Sequence, residues 1–370
     1  MKGSRERDDG AGDGDAYLWD RSGPVDAEVA RLEALLGGHA HRGGRRLRAR
    51  ARLPVDSPQG RRRRWRPAFQ LAAVLALCVL GAQAWLRQRL HWEPGEPWQV
   101  VAQQGDVRIE GRAQQARALG LDDTLVTGAN ATSRLLAAGI GEVAVGAGSR
   151  LRLLETRSGR HRVRLEQGSL WARVWAPPGQ FAVDVPGADV IDMGCEFLLE
   201  VDADGNGSLS VLSGWVQVDN PGREVLAPEG TRVRVNGDGA AGTPRAFAAS
   251  PAFVAALDAI DARDGAVAPD GPEVGRLLAA SRAGDAISLL VLLRDYPHLA
   301  EGPMFERLAT LLPVPLATRD RWRNERMAVL NAWWDALPYP RVKRWWTQWP
   351  DALPSRGGKM ADWLRMQREG

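Results

Sequence analysis

The stretch from Pro67 to Leu86, PAFQLAAVLALCVLGAQAWL, carries no formal charge, and it constrains everything on either side of it. An α-helix rises ~1.5 Å per residue, so 20 residues cover roughly 30 Å, the thickness of a bilayer's hydrocarbon core. A lone segment crossing lipid must be helical, because only a helix satisfies all its backbone groups internally. Trp65 and Trp85 stand near the two ends, where indole rings favour the headgroup layer. Gln70, Gln83, Gly81 and the alanines dilute the leucines, so a buried core helix is the competing reading.

The flanks favour the membrane. From Arg42 to Arg66 there are eleven arginines and a single acid, Asp56, whereas Arg87 and Arg89 are soon followed by Glu93 and Glu96. Positive charge beside a span stays cytoplasmic, which places the N-terminus inside and the long C-terminal part across the membrane. Ala82-Gln83-Ala84 also reads as a signal-peptide cleavage site, but the 66 preceding residues are too long for an ordinary n-region. Residues 1–66 carry 16 basic and 10 acidic side chains, or +6, and the remainder 33 and 35, or −2. The basic balance therefore belongs to the juxtamembrane arginines, and no direct nucleic-acid face is expected. Cys78 and Cys195 would lie in different environments, which excludes a disulfide framework. Cys195 sits in an apolar strand pattern, as a small buried thiol does.

Residues 1–16 are rich in Gly and Asp with almost nothing to bury, and read as disordered. Residues 17–38 follow as an amphipathic helix. Ser22 and Pro24 suit a helix start, and Asp26 and Glu28 suit the positive end of its dipole. Val25, Val29, Leu32 and Leu36 form one apolar stripe, closed by Gly37-Gly38, with Tyr17, Leu18 and Trp19 in a turn folding back on it. So small a piece cannot bury a core of its own. It either docks into a cytoplasmic protein or lies on the inner leaflet, and its acidic polar side favours docking. Residues 39–66 read as an Arg-rich tether. His39 and His41 have no third ligand nearby, so no metal is expected.

Beyond the span, from about Trp98, apolar residues recur at every second position between glycine turns. Val163 and Leu165 oppose Arg162, Arg164 and Glu166; Leu170, Ala172 and Val174 oppose Trp171, Arg173 and Trp175. Phe181, Val183 and Val185, then Leu209 and Val211, Val216 and Val218, and Val233 and Val235 continue the theme. Short half-buried strands at regular spacing predict an all-β sandwich, jelly roll or solenoid over residues 98–240.

Seven elements within this region occur in a telling order. They are Leu121-Asp122-Asp123-Thr124-Leu125-Val126-Thr127-Gly128, Glu142-Val143-Ala144-Val145, Ser149-Arg150-Leu151 and Leu165-Glu166-Gln167-Gly168-Ser169-Leu170, followed by Phe181-Ala182-Val183-Asp184-Val185-Pro186, Gly194-Cys195-Glu196-Phe197 and Gly214-Trp215-Val216-Gln217-Val218. In that order they resemble the FecR family of membrane-spanning sigma-factor regulators, with Asp122 where that family's first element has Gly. The resemblance implies a single-span inner-membrane protein with a cytoplasmic N-terminus and a periplasmic C-terminus. Its N-terminal segment would bind an extracytoplasmic-function sigma factor, here through Tyr17, Leu18, Trp19, Val25, Val29, Leu32 and Leu36. Its periplasmic all-β FecR domain, jelly-roll or solenoid-like, would receive a signal from a periplasmic or envelope protein.

Residues 250–370 depart from that family's transporter-contacting members, which end in a small α/β module. Phe253, Leu257 and Ile260; Val274, Leu277 and Leu278; Ile287, Leu290 and Leu293; and Phe305, Leu308, Leu311 and Leu312 are helical stripes, which predict an α-helical domain of stacked hairpins. Of 15 tryptophans, Trp322, Trp333, Trp334, Trp345, Trp346 and Trp349 crowd this region, either packing between helices or presenting an aromatic surface.

Two motifs tempt and fail. Asp202-Ala203-Asp204-Gly205-Asn206-Gly207 opens like a calcium loop, yet position twelve is Ser213 and strands flank it, so a hairpin turn is expected. Gly237-Asp238-Gly239-Ala240-Ala241-Gly242 is followed by Thr243-Pro244 where a dinucleotide-binding helix would begin, so it reads as a linker. No histidine, serine or cysteine has a recognisable base partner, and neither catalysis nor a cofactor is expected. The alternative to a sigma-factor regulator is an envelope membrane protein, structural or binding glycan or another ligand, with the N-terminal tail serving only as an anchor.

Overall fold

The computed structural model describes residues 30–31, 74–84, 88, 90–113, 116–339 and 357–369. Most of the N-terminal unit, Met1–Ala73, lies outside them, as do all seven residues of the docking stripe and its aromatic turn. Residues 74–84 are helical and exposed throughout, with Val74, Leu75, Leu77, Val79 and Leu80 each more than half exposed. Among the described residues no helix is long and apolar enough to cross a membrane; residues 67–73 and 85–86 of the uncharged stretch are not described.

The unit Val74–Gly370 holds two bodies of secondary structure. The first is all β. Its early strands are β1 (Trp98–Gln104), β2 (Val107–Ile109), β3 (Ala118–Leu119), β4 (Thr124–Thr127), β5 (Thr132–Ala137) and β6 (Gly141–Val145). A long hairpin follows, β7 (Arg150–Arg157) and β8 (Arg160–Val174), then β9 (Phe181–Val185), β10 (Ala188–Asp192), β11 (Glu196–Val201) and β12 (Gly207–Ser213). The last are β13 (Trp215–Asn220), β14 (Arg223–Pro228), β15 (Thr231–Val235) and β16 (Arg245–Ala246).

The 15-residue β8 belongs to two sheets. Its first half pairs with β7 and, in parallel, with β9; its second half pairs with β6 and β11. One sheet thus runs β2-β4-β7-β8-β9-β10-β13-β14 and the other β1-β5-β6-β8-β11-β12-β15-β16, with β3 also on β1. Their inward residues make one core, including Val163, Leu165, Leu170, Ala172, Val174, Phe181, Val183 and Phe197. The period-two reading of these strands holds because side chains alternate across a pleated strand. Among the departures, with Ala182 and Asp184 of β9, is Trp171. It points away from that core yet is buried, because a second layer covers it.

The Asp202–Gly207 segment turns between β11 and β12, with Asp202 Oδ1 accepting from the N–H of Asp204 and Asn206, both at 2.9 Å. Among the described residues no group of acidic, histidine or cysteine side chains could hold a metal. The glycine-rich run at 237–242 links β15 to β16.

The second body contains α1 (Pro251–Asp261), α2 (Pro272–Ala280), α3 (Ala286–Asp295), α4 (Met304–Leu311), α5 (Arg319–Asn324) and α6 (Arg326–Ala336). Ser250 caps α1 by accepting from the Phe253 N–H at 3.2 Å, with Pro251 in the first turn, as helix starts favour. Residues Ala286–Leu293 of α3 are all buried, in one apolar core with the stripes of α1, α2 and α4. Trp322 and Trp333 are buried around Phe305, with ring centroids 5.8 and 5.1 Å from it, so these two serve as packing. Trp345, Trp346 and Trp349 lie outside the described residues.

Polar contacts join the two bodies. Arg223 of β14 meets Asp295 at 2.7 Å, Thr243 Oγ1 at 2.9 Å and the Ala241 carbonyl at 2.9 Å, with Asp261 at 3.6 Å. Asp258 of α1 bridges Arg234 and Arg245, and Ser288 donates to the Pro244 carbonyl at 2.6 Å. The final helix, α7 (Gly357–Glu369), leaves the helical body and lies on the β-domain, where Met360 and Trp363 cover Trp171 and Ala144.

Candidate functional site

The ordered elements of the β-domain gather into two knots. In the first, Thr127 Oγ1 donates to the Gly146 carbonyl at 2.6 Å and accepts from the Ser149 N–H at 2.9 Å. Ser149 Oγ also donates to that carbonyl, at 2.9 Å, and accepts from the Ser169 N–H at 2.9 Å. Beside them Gly168 has φ +98°, and a Cβ there would stand 2.2 Å from Ser149 Oγ. Gly168 is where β8 passes from one sheet to the other, so only a residue without a side chain can make that bend. The Thr-Gly, Ser-Arg-Leu and Gln-Gly-Ser elements, spread over more than 40 residues of chain, thus hold one crossing point. Gln367 of α7 closes it from outside, its Oε1 accepting from the Ala147 N–H and the Ser169 hydroxyl, both at 3.3 Å.

The second knot joins the end of β10 to the starts of β11 and β13. Asp192 is fully buried and accepts from the Gly194 N–H at 3.0 Å and from the Cys195 thiol. Burial pushes its carboxyl up to about 7, against the pull of those donors. Burial, together with the neighbouring Asp192 charge, pushes the Cys195 thiol well above its ordinary value. Cys195 is therefore a hydrogen-bonding core residue rather than a nucleophile. Gly214, with φ +77°, packs so closely that a Cβ would lie 2.2 Å from the Gly194 carbonyl. Glu196, next along β11, is 2% exposed and accepts from Trp171 Nε1 at 3.0 Å.

A third buried group lies at the far end of the domain. His161 packs among Trp92, Trp98 and Phe181, with Nδ1 3.2 Å from Thr156 Oγ1, which also accepts from Trp98 Nε1 at 3.1 Å. Burial pushes its imidazole down to about 4, so it is neutral, and its Nε2 has no partner.

On the outer face of the second sheet, Trp171, Leu212, Phe247 and Tyr339 wall a cavity of about 400 Å³ with Glu196 and Glu229. The sequence pattern did not mark this place: its walls come from β8, β11, β12 and the segments after β14, β16 and α6, and no local spacing relates them. The residues read as a docking surface, Tyr17, Leu18, Trp19, Val25, Val29, Leu32 and Leu36, lie outside the described residues.

The family model described as FecR protein matches residues 123–217. That interval runs from Asp123 in the first ordered element to Gln217 in the last, so the resemblance read from those residues stands. No curated protein matches the chain. Two crystal structures of a putative anti-sigma factor from Parabacteroides distasonis, at 1.65 and 2.50 Å resolution, are similar at 24% identity. Each match covers 36% of this chain, and 63% and 62% of the respective neighbour, with a TM-score of 0.30. This chain thus spans less than two thirds of the neighbours it matches.

Proposed function

We propose, from the FecR segment at residues 123–217, that this chain is a membrane-anchored regulator that captures an extracytoplasmic-function sigma factor. The capture surface is the apolar stripe Val25, Val29, Leu32 and Leu36, with Tyr17, Leu18 and Trp19 as its aromatic end. The observation that carries the reading is the helical run 74–84, whose apolar side chains are exposed between an arginine-rich segment and the β-domain. Five large aliphatic side chains exposed on one short helix need a covering, and lipid is the covering that suits an uncharged stretch flanked by arginines. The β-domain then stands in the periplasm and the stripe in the cytoplasm. A change at the β-domain, relayed along the chain, frees or activates the sigma factor. The two knots described above contribute a rigid receiver rather than reactive groups.

Co-purification of the detergent-solubilised full chain with a co-expressed extracytoplasmic-function sigma factor from the same organism tests the reading. Val29→Asp combined with Leu32→Asp should reduce the co-purified sigma factor at least tenfold. Unchanged co-purification rejects the stripe as the capture surface.

A further inference from the structure

We propose that residues 90–97 form a proton-operated clasp: Trp92 ties the chain leaving the apolar helix to the β7–β8 hairpin, and protonation of His161 beneath it lets that chain go. Backbone hydrogen bonds close the clasp. The Trp92 N–H donates to Ser158 Oγ at 2.7 Å, and Ser158, in the turn between β7 and β8, returns its own N–H and hydroxyl to the Trp92 carbonyl at 3.2 and 3.1 Å. The Gly95 N–H donates to the Thr156 carbonyl at 2.8 Å, and the Trp92 indole folds back on its own turn to the Glu96 carbonyl at 2.9 Å. Residues 91 and 93–97 are exposed, so Leu90 and Trp92, which pack on the β core, supply the apolar grip.

His161 is 1% exposed and lies under that grip. Trp92 stands edge-on to it at 6.5 Å and Trp98 is tilted at 6.4 Å, with Phe181 6.2 Å from Trp98. Trp98 and Phe181 are fully buried in β1 and β9, whereas Trp92 is half-buried in a loop. Trp92 is therefore the ring that can move without dismantling a sheet. A neutral imidazole suits this place, with Nδ1 on Thr156 Oγ1 and Nε2 buried without a partner. An imidazolium has two N–H donors and a charge, and burying them with one donor unpaired is costly. The charged groups nearby are already engaged or in solvent. Glu155 of β7 pairs with Arg157 and Arg160 at 2.8 and 2.9 Å, and Asp184 of β9 with Arg162 and Arg164. His91 and Glu93 pair at 3.0 Å in solvent, Glu96 is exposed, and β1 carries no charged side chain. Lifting Trp92 admits water to the ring, so the proton and the closed clasp compete. Burial holds the imidazole down to about 4 from 6.5, opposed by the Glu155 charge. If opening restores the ordinary value, the open form gains about 20-fold over the closed one between pH 7 and pH 5. This makes the proton a signal for the regulator proposed above. The consequence rests on that reading, and the clasp does not.

Hydrogen exchange of the detergent-solubilised full chain, corrected for the intrinsic rate at each pH and read by mass spectrometry, provides the test. Protection of residues 92–96 should fall about 20-fold between pH 7 and pH 5, while the amides of β11 keep theirs. His161→Gln should abolish that fall. His91→Gln, at the exposed histidine beside Trp92, should leave it in place. Ser158→Ala, in an exposed turn, should lower the protection of residues 92–96 about fivefold at pH 7 with β11 unaffected. The proposal is overturned if residues 92–96 are equally protected at both pH values, if the fall survives His161→Gln, or if β11 loses protection in step with them, which is unfolding rather than release. Failure of sigma-factor co-purification at pH 7 would leave these exchange rates unchanged, so the two readings fail separately.

Discussion

The β-domain and the helical body are both built around a buried centre, but they are specified in different ways. Around α3 the requirement is apolar volume: Leu289, Leu290, Leu292 and Leu293 fill space, and no backbone angle there is unusual. At the β8 crossing the requirement is geometric, because Gly168, Ser149 and Thr127 leave no room for alternatives. A chain can therefore keep the β-domain's ordered elements while its C-terminal body takes another form.

The sharpest way to break that contrast is Gly168→Ala. A Cβ at 2.2 Å from Ser149 Oγ, on a backbone at φ +98°, should cost at least about 4 kcal/mol, seen as loss of the folded β-domain in thermal unfolding. Gly148, also at positive φ (+61°) but with nothing within 4 Å, serves as the control, and Gly148→Ala should cost about 1 kcal/mol. Leu290→Ala in α3 should come next, costing about 3 kcal/mol through the cavity it leaves and lowering the midpoint of urea unfolding. Equal losses for Gly168→Ala and Gly148→Ala would mean that the crossing tolerates a side chain.

The smallest expected effect is the most diagnostic of the β-domain's interior. His161 is held down to about 4 from 6.5, so unfolded chain takes a proton that folded chain refuses, and stability falls as pH drops from 6.5 towards 4. Asp192 is held up to about 7 from 3.8, so folded chain keeps a proton that unfolded chain releases. Its contribution is full below 3.8 and is lost as pH rises through 7. The two oppose each other between pH 4 and 6.5, each on the order of 1–3 kcal/mol. Relative to the unsubstituted chain, Asp192→Asn should lose thermal stability as the pH is lowered from 7 to 4.5, and His161→Gln should gain it. Slopes of the same sign for both variants would contradict the assignment.

What could be read in the chain follows from how local each cause is. The alternation of Val163 and Leu165 against Arg162 and Arg164 depends only on strand geometry, and so does the burial of Cys195 among apolar neighbours. Helical stripes such as Phe253, Leu257 and Ile260 are equally local. By contrast, Trp171 looked outward-facing, and it is outward with respect to the main core. Its burial comes from a helix almost 200 residues downstream, which no period reveals. The partnership of Thr127, Ser149 and Ser169 was visible only as a resemblance, since the hydrogen bonds that explain those residues join segments about 20 residues apart. The cavity beside Glu196 had no signal of its own, because its walls are assembled entirely by tertiary packing.

The account depends most on the stretch from Pro67 to Leu86 placing the N-terminal stripe and the β-domain on opposite sides of a bilayer. Fusing alkaline phosphatase, which is active only outside the cytoplasm, after residue 40 and separately after Gly370 tests this directly. Activity at Gly370 with silence at residue 40 is the predicted result. Silence at Gly370 with activity at residue 40, or a chain recovered entirely in the soluble fraction, would contradict it.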